Sequence, residues 1–212
     1  MTKTIGIIGT GRVGATLGLR LANLDYKVIY GSRNPTSRKM LDILQQSSMN
    51  AKALDIKETI KQSNIIILAT PWKKTKAIVN LVSDWKGKII VDCTNPLKAN
   101  LSGLAVEAGT SAAEKVAQWA KGADIVKAFN SIGTQVMANP QFGTDQATLF
   151  ICGDRNASKK IVKEIGELLG FDVVDTGDLK TSRFLEQMAL FWIHMAFNRG
   201  LGSDFALKLL KR

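Results

Sequence analysis

The stretch "GTGRVG", residues 9–14, decides the fold, because it joins an apolar run to a stretch with helical spacing. The run Thr4–Ile8 predicts a buried strand, and residues 13–24 carry apolar side chains at helical spacing. In this strand–turn–helix setting, a G-x-G-x-x-G motif predicts a dinucleotide-binding unit, whereas the motif alone would indicate only a glycine turn.

Each glycine of this turn has its own physical task. Gly9 allows the tight turn, Gly11 lets the backbone approach a pyrophosphate, and Gly14 lets the helix and the strand pack closely. The helix that follows offers free N–H groups and the positive end of its dipole to the phosphates. We therefore predict that this turn binds the pyrophosphate of a dinucleotide.

The rest of the chain alternates predicted strands with predicted helices. Further strands are predicted at residues 27–30, 64–69, 88–92, 124–128, 148–152 and 171–175. Further helices are predicted at residues 36–47, 56–62, 75–83, 112–120, 157–169 and 182–198. This alternation predicts an α/β fold of the Rossmann type, with a doubly wound, mostly parallel sheet and a C-terminal helical appendage.

Length and charge narrow the possible ligands. A chain of 212 residues is typical of one domain, or of one domain with a small appendage. The formal net charge is +11, and the basic residues are scattered rather than grouped in a run. Either a lysine-rich surface or an anionic small ligand accounts for this charge, while the scatter argues against a nucleic acid.

The cysteine and histidine content predicts no metal site. Cys93 and Cys152 lie far apart in the sequence, and His194 is the single histidine, so no metal-ligand spacing is present. The apolar runs are too short, or too interrupted by charge, to span a bilayer. We expect a cytoplasmic protein with reduced thiols and no membrane partner.

The loop "GSRNP", which follows the second predicted strand, predicts the identity of the cofactor. In NAD-binding proteins an acidic residue near this position bonds the ribose hydroxyls. Here Gly31 removes the acid, Ser32 offers a hydroxyl, and Arg33 offers a planar cation that suits a phosphate. Asn34 belongs to the same loop, and Arg38 follows one short turn later. The loop predicts NADP(H) rather than NAD(H), and the alternative is an ordinary basic turn before a helix.

Loops after three further predicted strands carry the remaining candidate residues. Ligands of parallel sheets bind at the carboxyl ends of the strands. Trp72 either covers an aromatic ring or caps the core, and Asn130 either orients a nicotinamide amide or is a polar turn residue. The cofactor-binding candidates in these loops are Thr70, Pro71, Trp72, Asn95, Pro96, Leu97, Asn130, Ile132 and Gly133.

Six motifs, taken in order along nearly the whole chain, resemble the deazaflavin-dependent NADP reductases. The motifs are "GTGRVG", "GSRNP", "ATPW", "KAFNSI", "FICGD" and "TGDLKTSRFLE". The same domain forms the cytosolic part of six-transmembrane metalloreductases. The resemblance implies a Rossmann fold and hydride transfer between NADPH and a deazaflavin (coenzyme F-420) or, in the metalloreductases, a flavin.

The resemblance also implies roles for particular residues. Thr10, Gly11, Arg12 and Val13 would contact the pyrophosphate, whereas Ser32, Arg33 and Arg38 would contact the 2′-phosphate. The family has a proline at the position of Gly133. We expect the glycine to remove a rigid ring from the acceptor pocket. Deazaflavin is the first expected acceptor, and flavin is therefore a close second.

The expected function is therefore an NADP-dependent oxidoreductase with a deazaflavin-type small-molecule acceptor. The alternatives are an NADPH-dependent flavin reductase, a flavin-mediated ferric reductase and a non-catalytic NADPH-binding protein. Hydride transfer requires two rings held face to face, so the cofactors carry the chemistry and no catalytic side chain is predicted.

The C-terminal part of the chain is expected to be structural. Thr181 or Ser182 is predicted to cap the last helix, and Arg183 to bond Glu186 or Gln187 within it. The helical stretch 184–197 is apolar on much of its surface, which favours a homodimer. We expect residues 1–178 to form the NADP-binding domain, and residues 179–212 to pack on it or on a partner subunit.

Overall fold

The computed structural model describes residues 4–212, which form an eight-stranded main sheet with helices on both faces and a separate two-stranded sheet of β7 and β8. The ten strands are β1 (Thr4–Ile8), β2 (Lys27–Gly31), β3 (Ala51–Leu54), β4 (Ile65–Leu68), β5 (Ile89–Asp92), β6 (Asp124–Lys127), β7 (Gln141–Phe142), β8 (Asp145–Gln146), β9 (Thr148–Gly153) and β10 (Asp172–Asp175). The eight helices are α1 (Arg12–Ala22), α2 (Arg38–Gln46), α3 (Ile56–Gln62), α4 (Trp72–Val79), α5 (Ala112–Trp119), α6 (Thr134–Ala138), α7 (Asn156–Leu168) and α8 (Ser182–Ile193).

The strand order of the main sheet is β10-β9-β6-β5-β4-β1-β2-β3. All neighbours are parallel except β6 and β9, which pair antiparallel. The chain runs from β1 to β3 on one side and then returns to β4 on the other. The loops after β1 and β4 therefore diverge at a switch point, which is where parallel sheets of this kind bind ligands. The predicted Rossmann-type fold, with its C-terminal helix, is confirmed.

Apolar strands buried on both faces hold the sheet together. All four residues of β4, "IIIL", and all four of β5, "IIVD", are buried, as expected for central parallel strands. One core cluster packs Leu17 and Tyr30 on one face of the sheet. A second cluster packs Ile66 and Trp85 on the other face. These two cores fix the positions of the strand ends that form the candidate site.

Several elements differ from their predicted bounds. The edge strand β3, "AKAL", was missed because its residues favour helix. Helix α4 begins at Trp72, three residues before its predicted start. The last helix leaves α geometry after Ile193, continues as a π turn through Asn198, and is followed by an irregular tail over residues 199–212.

The tail is anchored to the sheet edge. The Thr148 N–H donates to the Leu207 carbonyl, and the Leu209 N–H donates to the Thr148 hydroxyl. Lys208 forms a 2.9 Å ion pair with Asp172. Between residues 4 and 212, no helix is both long and apolar enough to cross a membrane.

Candidate nucleotide-binding site

A cleft of about 1190 Å³ opens at the carboxyl ends of β1, β2, β4 and β5. Twelve of the predicted site residues line it: Gly9, Thr10, Gly11, Arg12, Val13, Ser32, Arg33, Asn34, Thr70, Pro71, Trp72 and Asn95. Seven others lie outside its lining: Gly14, Arg38, Pro96, Leu97, Asn130, Ile132 and Gly133. The loops after four strands therefore meet at one site, although they are separated in sequence.

The glycine turn is shaped for a close approach by a ligand. Gly9 has a φ of +106°, and a Cβ there would lie 2.4 Å from the Ala69 carbonyl oxygen. A Cβ on Gly14 would lie 1.9 Å from the Gly9 carbonyl oxygen, so Gly14 serves helix–strand packing. A Cβ on Gly11 would meet no atom within 4 Å, so the missing side chain leaves the cleft open.

The N-terminus of α1 suits a pyrophosphate. The Ala15 N–H donates to the Gly11 carbonyl at 2.9 Å, closing the first helical turn. The N–H groups of the residues between them therefore precede the helical ladder and are free to bind an anion. The first turn contains no acidic residue, and Arg12 lines the cleft. The residues of this turn thus fit the dinucleotide that the motif predicts.

The loop after β2 is held in shape by its own side chains. The Ser32 hydroxyl accepts a hydrogen bond from the Asn34 N–H at 3.1 Å, and the Asn34 side-chain oxygen accepts one from Thr36. A Cβ on Gly31 would lie 2.6 Å from the Ile8 side chain. Packing therefore favours glycine at position 31, and the glycine also leaves this position without an acidic side chain.

One predicted cation, Arg38, lies outside the cleft lining, whereas the residue after it lies within the lining. Arg38 forms a 3.0 Å ion pair with Asp42 and does not line the cleft, whereas Lys39 does. Successive residues of a helix differ by about 100° in direction, which separates the two side chains. The helical phase counted from Ser37, which precedes α2, was the signal that could have identified Lys39.

The cleft is strongly basic. Its cationic lining residues are Arg12, Arg33, Lys39, Lys73 and Lys74. Among the described lining residues none is Asp or Glu. Apolar side chains from α3 and α4, including Ile56 and Ile78, line the same cleft. This combination offers a flat apolar surface for a ring and a surplus of cations for phosphates.

Trp72 lines the cleft and also packs against an aromatic residue of the protein itself. It is the first residue of α4 and lines the cleft. Its ring also stacks on Trp119 with centroids 5.4 Å apart, and the Lys76 ammonium lies 5.7 Å from the Trp119 ring centroid. The cleft wall at Trp72 is therefore backed by a second aromatic ring.

A buried cluster of charges lies beneath the end of β5. The Lys127 ammonium is 3.0 Å from Asp92 and 2.9 Å from Glu186, and all three side chains are fully buried. Burial alone would lower the pKa of Lys127, but the two carboxylates outweigh it and the pKa is raised. Burial raises the pKa of Glu186, against the opposing effect of Lys127. No sequence motif indicated that these three residues meet.

The C-terminal motif joins α8 to α5, and the predicted contacts within α8 are wrong. Glu186 accepts hydrogen bonds from the N–H groups of Ala112 and Ala113, at 3.0 and 3.2 Å. Arg183 forms two hydrogen bonds with Glu114, at 2.8 and 2.6 Å. Thus the first turn of α5 is held by side chains from α8.

The predicted caps of α8 are also absent. Thr181 makes no side-chain capping bond. The Ser182 hydroxyl donates to the Leu179 carbonyl and lies 2.7 Å from the Ser111 hydroxyl, which belongs to the start of α5. Ser182 therefore helps to join the two helices.

Asn95 and Asn130 bond to each other across the ends of β5 and β6. The Asn95 amide donates to the Asn130 carbonyl at 2.6 Å, and the Asn130 amide donates to the Asn95 side chain at 3.1 Å. The Asn130 amide also donates to the Leu185 carbonyl. Phe129, just before it, has a φ of +62°, a strained value for a bulky residue. The donors of Asn130 are thus engaged within the protein.

Gly133 does not open the acceptor side. A Cβ there would lie 2.6 Å from the Ser203 carbonyl oxygen and 2.8 Å from the Trp192 ring. Phe205 stacks on Trp192 with centroids 5.1 Å apart. Gly133 carries no ring, but the C-terminal tail occupies the space beside it, so the glycine does not enlarge an acceptor pocket there.

The remaining predicted residues lie beside the cleft. Ile132 packs against the first core cluster. The Pro96 carbonyl accepts a hydrogen bond from the Ala105 N–H, and Leu97 forms an isolated bridge with Leu104. The loop after β5 therefore folds back on itself.

The switch-point cleft, the glycine turn and the basic lining define a dinucleotide-binding oxidoreductase of the Rossmann class. Residues 4–96 match the family described as NADP oxidoreductase, coenzyme F420-dependent. The chain is 30% identical over 191 residues to the F420-dependent NADP reductase of Methanocaldococcus jannaschii, covering 84% of this chain and 85% of that protein. The chain belongs to this family, and it is an NADP-dependent oxidoreductase.

Two further comparisons frame the function. The chain is 29% identical over 188 residues to the metalloreductase STEAP3 of Rattus norvegicus, covering 88% of this chain but only 36% of that protein. A crystal structure of a putative F420-dependent NADP reductase from Arthrobacter sp. FB24 superposes with a TM-score of 0.88 at 25% identity. That match covers 98% of this chain and 99% of the other.

Proposed function

We propose that the chain transfers a hydride between NADP(H) and a deazaflavin-type acceptor. The observation that carries the proposal is a single cleft with cations and no described carboxylate at one end, and neutral polar groups at the end of β5. The name of the relative from Methanocaldococcus jannaschii, an F420-dependent NADP reductase, supports the deazaflavin acceptor, since that protein aligns over most of its length.

The nucleotide site follows from the lining of the cleft. We assign the pyrophosphate to the turn residues Gly9, Thr10, Gly11, Arg12 and Val13. We assign the 2′-phosphate to Ser32 and Arg33, with Lys39 as an additional cation. Thr70, Pro71 and Trp72 flank the middle of the dinucleotide. The nicotinamide then lies over the end of β5, near Asn95.

The residues of the chain bind, orient and exclude water. The bound nucleotide supplies the hydride, and the acceptor ring must lie against it at about 3–3.5 Å. No proton transfer by a side chain is required for this step. The Trp72 wall and the apolar residues of α3 and α4 keep water from one side of the cleft.

We further propose that two segments of the chain have different roles. Residues 1–178 form the NADP-binding domain. Residues 179–212 form a segment whose helix α8 braces α5 and whose tail closes the space beside Gly133. The acceptor then meets the nicotinamide at the end of β5, near Asn95, where the cleft is open.

The acceptor is tested by stopped-flow mixing of the NADPH complex with a deazaflavin or with free flavins at matched concentrations. Fast deazaflavin reduction with slow flavin reduction supports the proposal. The reverse result supports a flavin or flavin-mediated ferric reductase, the second candidate favoured by the similarity to STEAP3. Tight NADPH binding without turnover of any acceptor would indicate a non-catalytic NADPH-binding protein.

We also propose that the chain assembles as a homodimer through the outer face of α8. Phe184, Phe191 and Phe197 are 73%, 54% and 64% exposed. Such large apolar side chains on one helical segment favour a second copy with two-fold symmetry. Light scattering should report a dimer at micromolar concentration, and Phe191→Glu should shift it to a monomer. A monomer for the unmodified chain would refute this assembly.

A further inference from the structure

Building on the proposed NADP(H) site, we propose that the Thr94 hydroxyl binds the nicotinamide half of the nucleotide. We propose further that Asp92 and Lys127 are positioning residues that hold Thr94 in place. The chemical class of group that Thr94 would recognise is a carboxamide or a ribose hydroxyl, each of which can pair with a side-chain O–H.

The Thr94 hydroxyl is a buried polar group that lacks a partner. Thr94 is 2% exposed and lines the cleft. Three buried side-chain atoms within residues 4–212 have no hydrogen-bond partner, and they belong to Ser63, Thr94 and Asn130. Only Thr94 among these three lines the cleft. A buried hydroxyl without a partner is costly, so a ligand that supplies one is favoured.

The location of Thr94 identifies which half of the nucleotide reaches it. The glycine turn after β1 suits the pyrophosphate, and the cations after β2 suit the phosphorylated adenosine. Thr94 follows β5, which lies on the other side of β1 in the order β5-β4-β1-β2. A dinucleotide that spans the switch point therefore brings its nicotinamide riboside toward β5.

The backbone of Thr94 is held by charged side chains on both of its peptide groups. The Asp92 carboxylate accepts from the Thr94 N–H at 2.9 Å. The Lys127 ammonium donates to the Thr94 carbonyl at 2.5 Å. Lys127 is in turn tied to Glu186 of α8. The backbone of Thr94 is thus held in a rigid frame, as a residue that orients a ring must be.

A gain in stability does not explain why Asp92, Lys127 and Glu186 form a buried cluster. A fully buried ion cluster is usually no more stabilising than apolar side chains of the same volume. Its position directly beneath a lining residue with an unpaired hydroxyl indicates a positioning role. The buried Lys159, which pairs with Asp175 and donates to the Gly177 carbonyl near β10, provides a matched lysine remote from the cleft lining.

The first test compares Thr94→Val with Thr94→Ser. Affinities are measured for NADPH, for NADP⁺ and for 2′-phospho-ADP, a fragment that lacks both the nicotinamide and its ribose. We expect Thr94→Val to weaken the binding of NADPH and NADP⁺ by about tenfold, which is the effect of one lost hydrogen bond. The affinity for the fragment should stay unchanged. Thr94→Ser should retain tight binding. The melting temperature of Thr94→Val should not fall, since its hydroxyl makes no bond within the protein.

Unchanged NADPH binding by Thr94→Val would overturn the role of Thr94, as would an equal loss for the fragment. If the unmodified protein binds neither NADPH nor the fragment, the proposed NADP(H) site itself is wrong. The two failures are therefore distinguishable.

The second test addresses the positioning residues with Asp92→Asn and the control Lys159→Met. Asp92→Asn should weaken NADPH relative to the fragment and speed hydrogen exchange at the Thr94 amide. Lys159→Met should lower stability without changing the ratio of the two affinities. A ratio that Asp92→Asn leaves unchanged would reduce Asp92 to a structural role.

If Asp92→Asn does not fold, the unmodified protein decides the question. NADPH should then slow exchange at the Thr94 amide more than the fragment does. Equal protection by both ligands would overturn the positioning role.

Discussion

The two ends of the cleft are built by opposite means. The end near β2 presents cations such as Arg33 and Lys39 from a loop and a helix start that are close in sequence. The end near β5 has a neutral hydroxyl, Thr94, above a fully buried cluster of charges. One end therefore attracts an anion, whereas the other is shaped to orient an uncharged group.

This difference follows from what each half of the nucleotide requires. A phosphate is recognised by charge, which long flexible side chains supply with tolerance for small displacements. A ring that transfers a hydride must be held in a narrow range of geometry, and a misplacement of about 1 Å can cost about 100-fold in rate. The rigid end therefore draws its residues from three segments, and Asp92 and Lys127 are partners in the register of β5 and β6.

The largest effect is expected from breaking the buried cluster. Lys127→Met should lower the unfolding free energy by about 3–5 kcal/mol, because it leaves Asp92 and Glu186 buried without their cation. Denaturation by urea measures the loss. Lys159→Met should cost less, since its partner Asp175 is 43% exposed. Equal losses for the two variants would show that full burial of the ion pair does not determine the loss of unfolding free energy.

A smaller effect, confined to binding, is expected at the other end of the cleft. Arg33→Ala should weaken NADPH binding by about 1.5–3 kcal/mol, roughly 10–150-fold, because a charge-assisted bond to the 2′-phosphate is lost. NADH affinity and the melting temperature should stay the same. Fluorescence titration checks both nucleotides. Equal affinity of the unmodified protein for NADPH and NADH would contradict the role of Arg33.

The stability contributed by the Arg183–Glu114 pair, which joins α8 to α5, should depend on pH. The hydrogen bond from Arg183 lowers the pKa of Glu114, against the effect of burial. A carboxyl whose pKa is lower in the folded state stabilises above its unfolded pKa of about 4.3, and the contribution is lost as pH falls below it. Glu114→Gln should therefore lose less stability than the unmodified chain between neutral and acid pH. Parallel acid dependences for the two proteins would contradict this.

The smallest effect is expected at Arg38, which separates the two interpretations of the 2′-phosphate site. Arg38 is 87% exposed and pairs with Asp42, so Arg38→Ala should cost about 0.5 kcal/mol of stability or less. It should change NADPH affinity far less than Arg33→Ala does. The comparison with Lys39→Ala sharpens the test. A loss at Arg38 as large as that at Arg33 would restore the contact that the family resemblance implies.

The regular elements were predictable where one short segment carried the whole signal. The run around β4 is apolar without interruption, and only a strand buried on both faces requires that. The glycine turn identified its own neighbours, because Gly9 and Gly14 are required by close contacts within the unit β1–α1 or with the residue that follows β4. By contrast, β3 and the end of α8 were missed or misjudged, since neither carries a pattern that stands apart from its context.

The residues of the candidate site also fall into those that the sequence predicted and those that depend on distant contacts. The basic loop after β2 and the loops at strand ends could be identified from residue types alone. The pairing of Arg183 with Glu114 and the tail over Gly133 could not, because the partners are 69 and 70 residues away. Thr94 was passed over because a threonine after a strand is ordinary, and only its burial without a partner makes it notable.

Local periodicity and glycine spacing were enough to predict the fold class and the dinucleotide turn, and the residue types of the loop after β2 were enough to predict a phosphorylated cofactor. Each of these signals depends on neighbours within one or two elements. The meeting of Asp92, Lys127 and Glu186, and the presence of Lys39 rather than Arg38 in the cleft lining, were decided by the assembled structure. A shift of one residue turns a side chain by about 100° on a helix or to the opposite face of a strand. Contacts between distant segments therefore depend on a register that no single segment encodes.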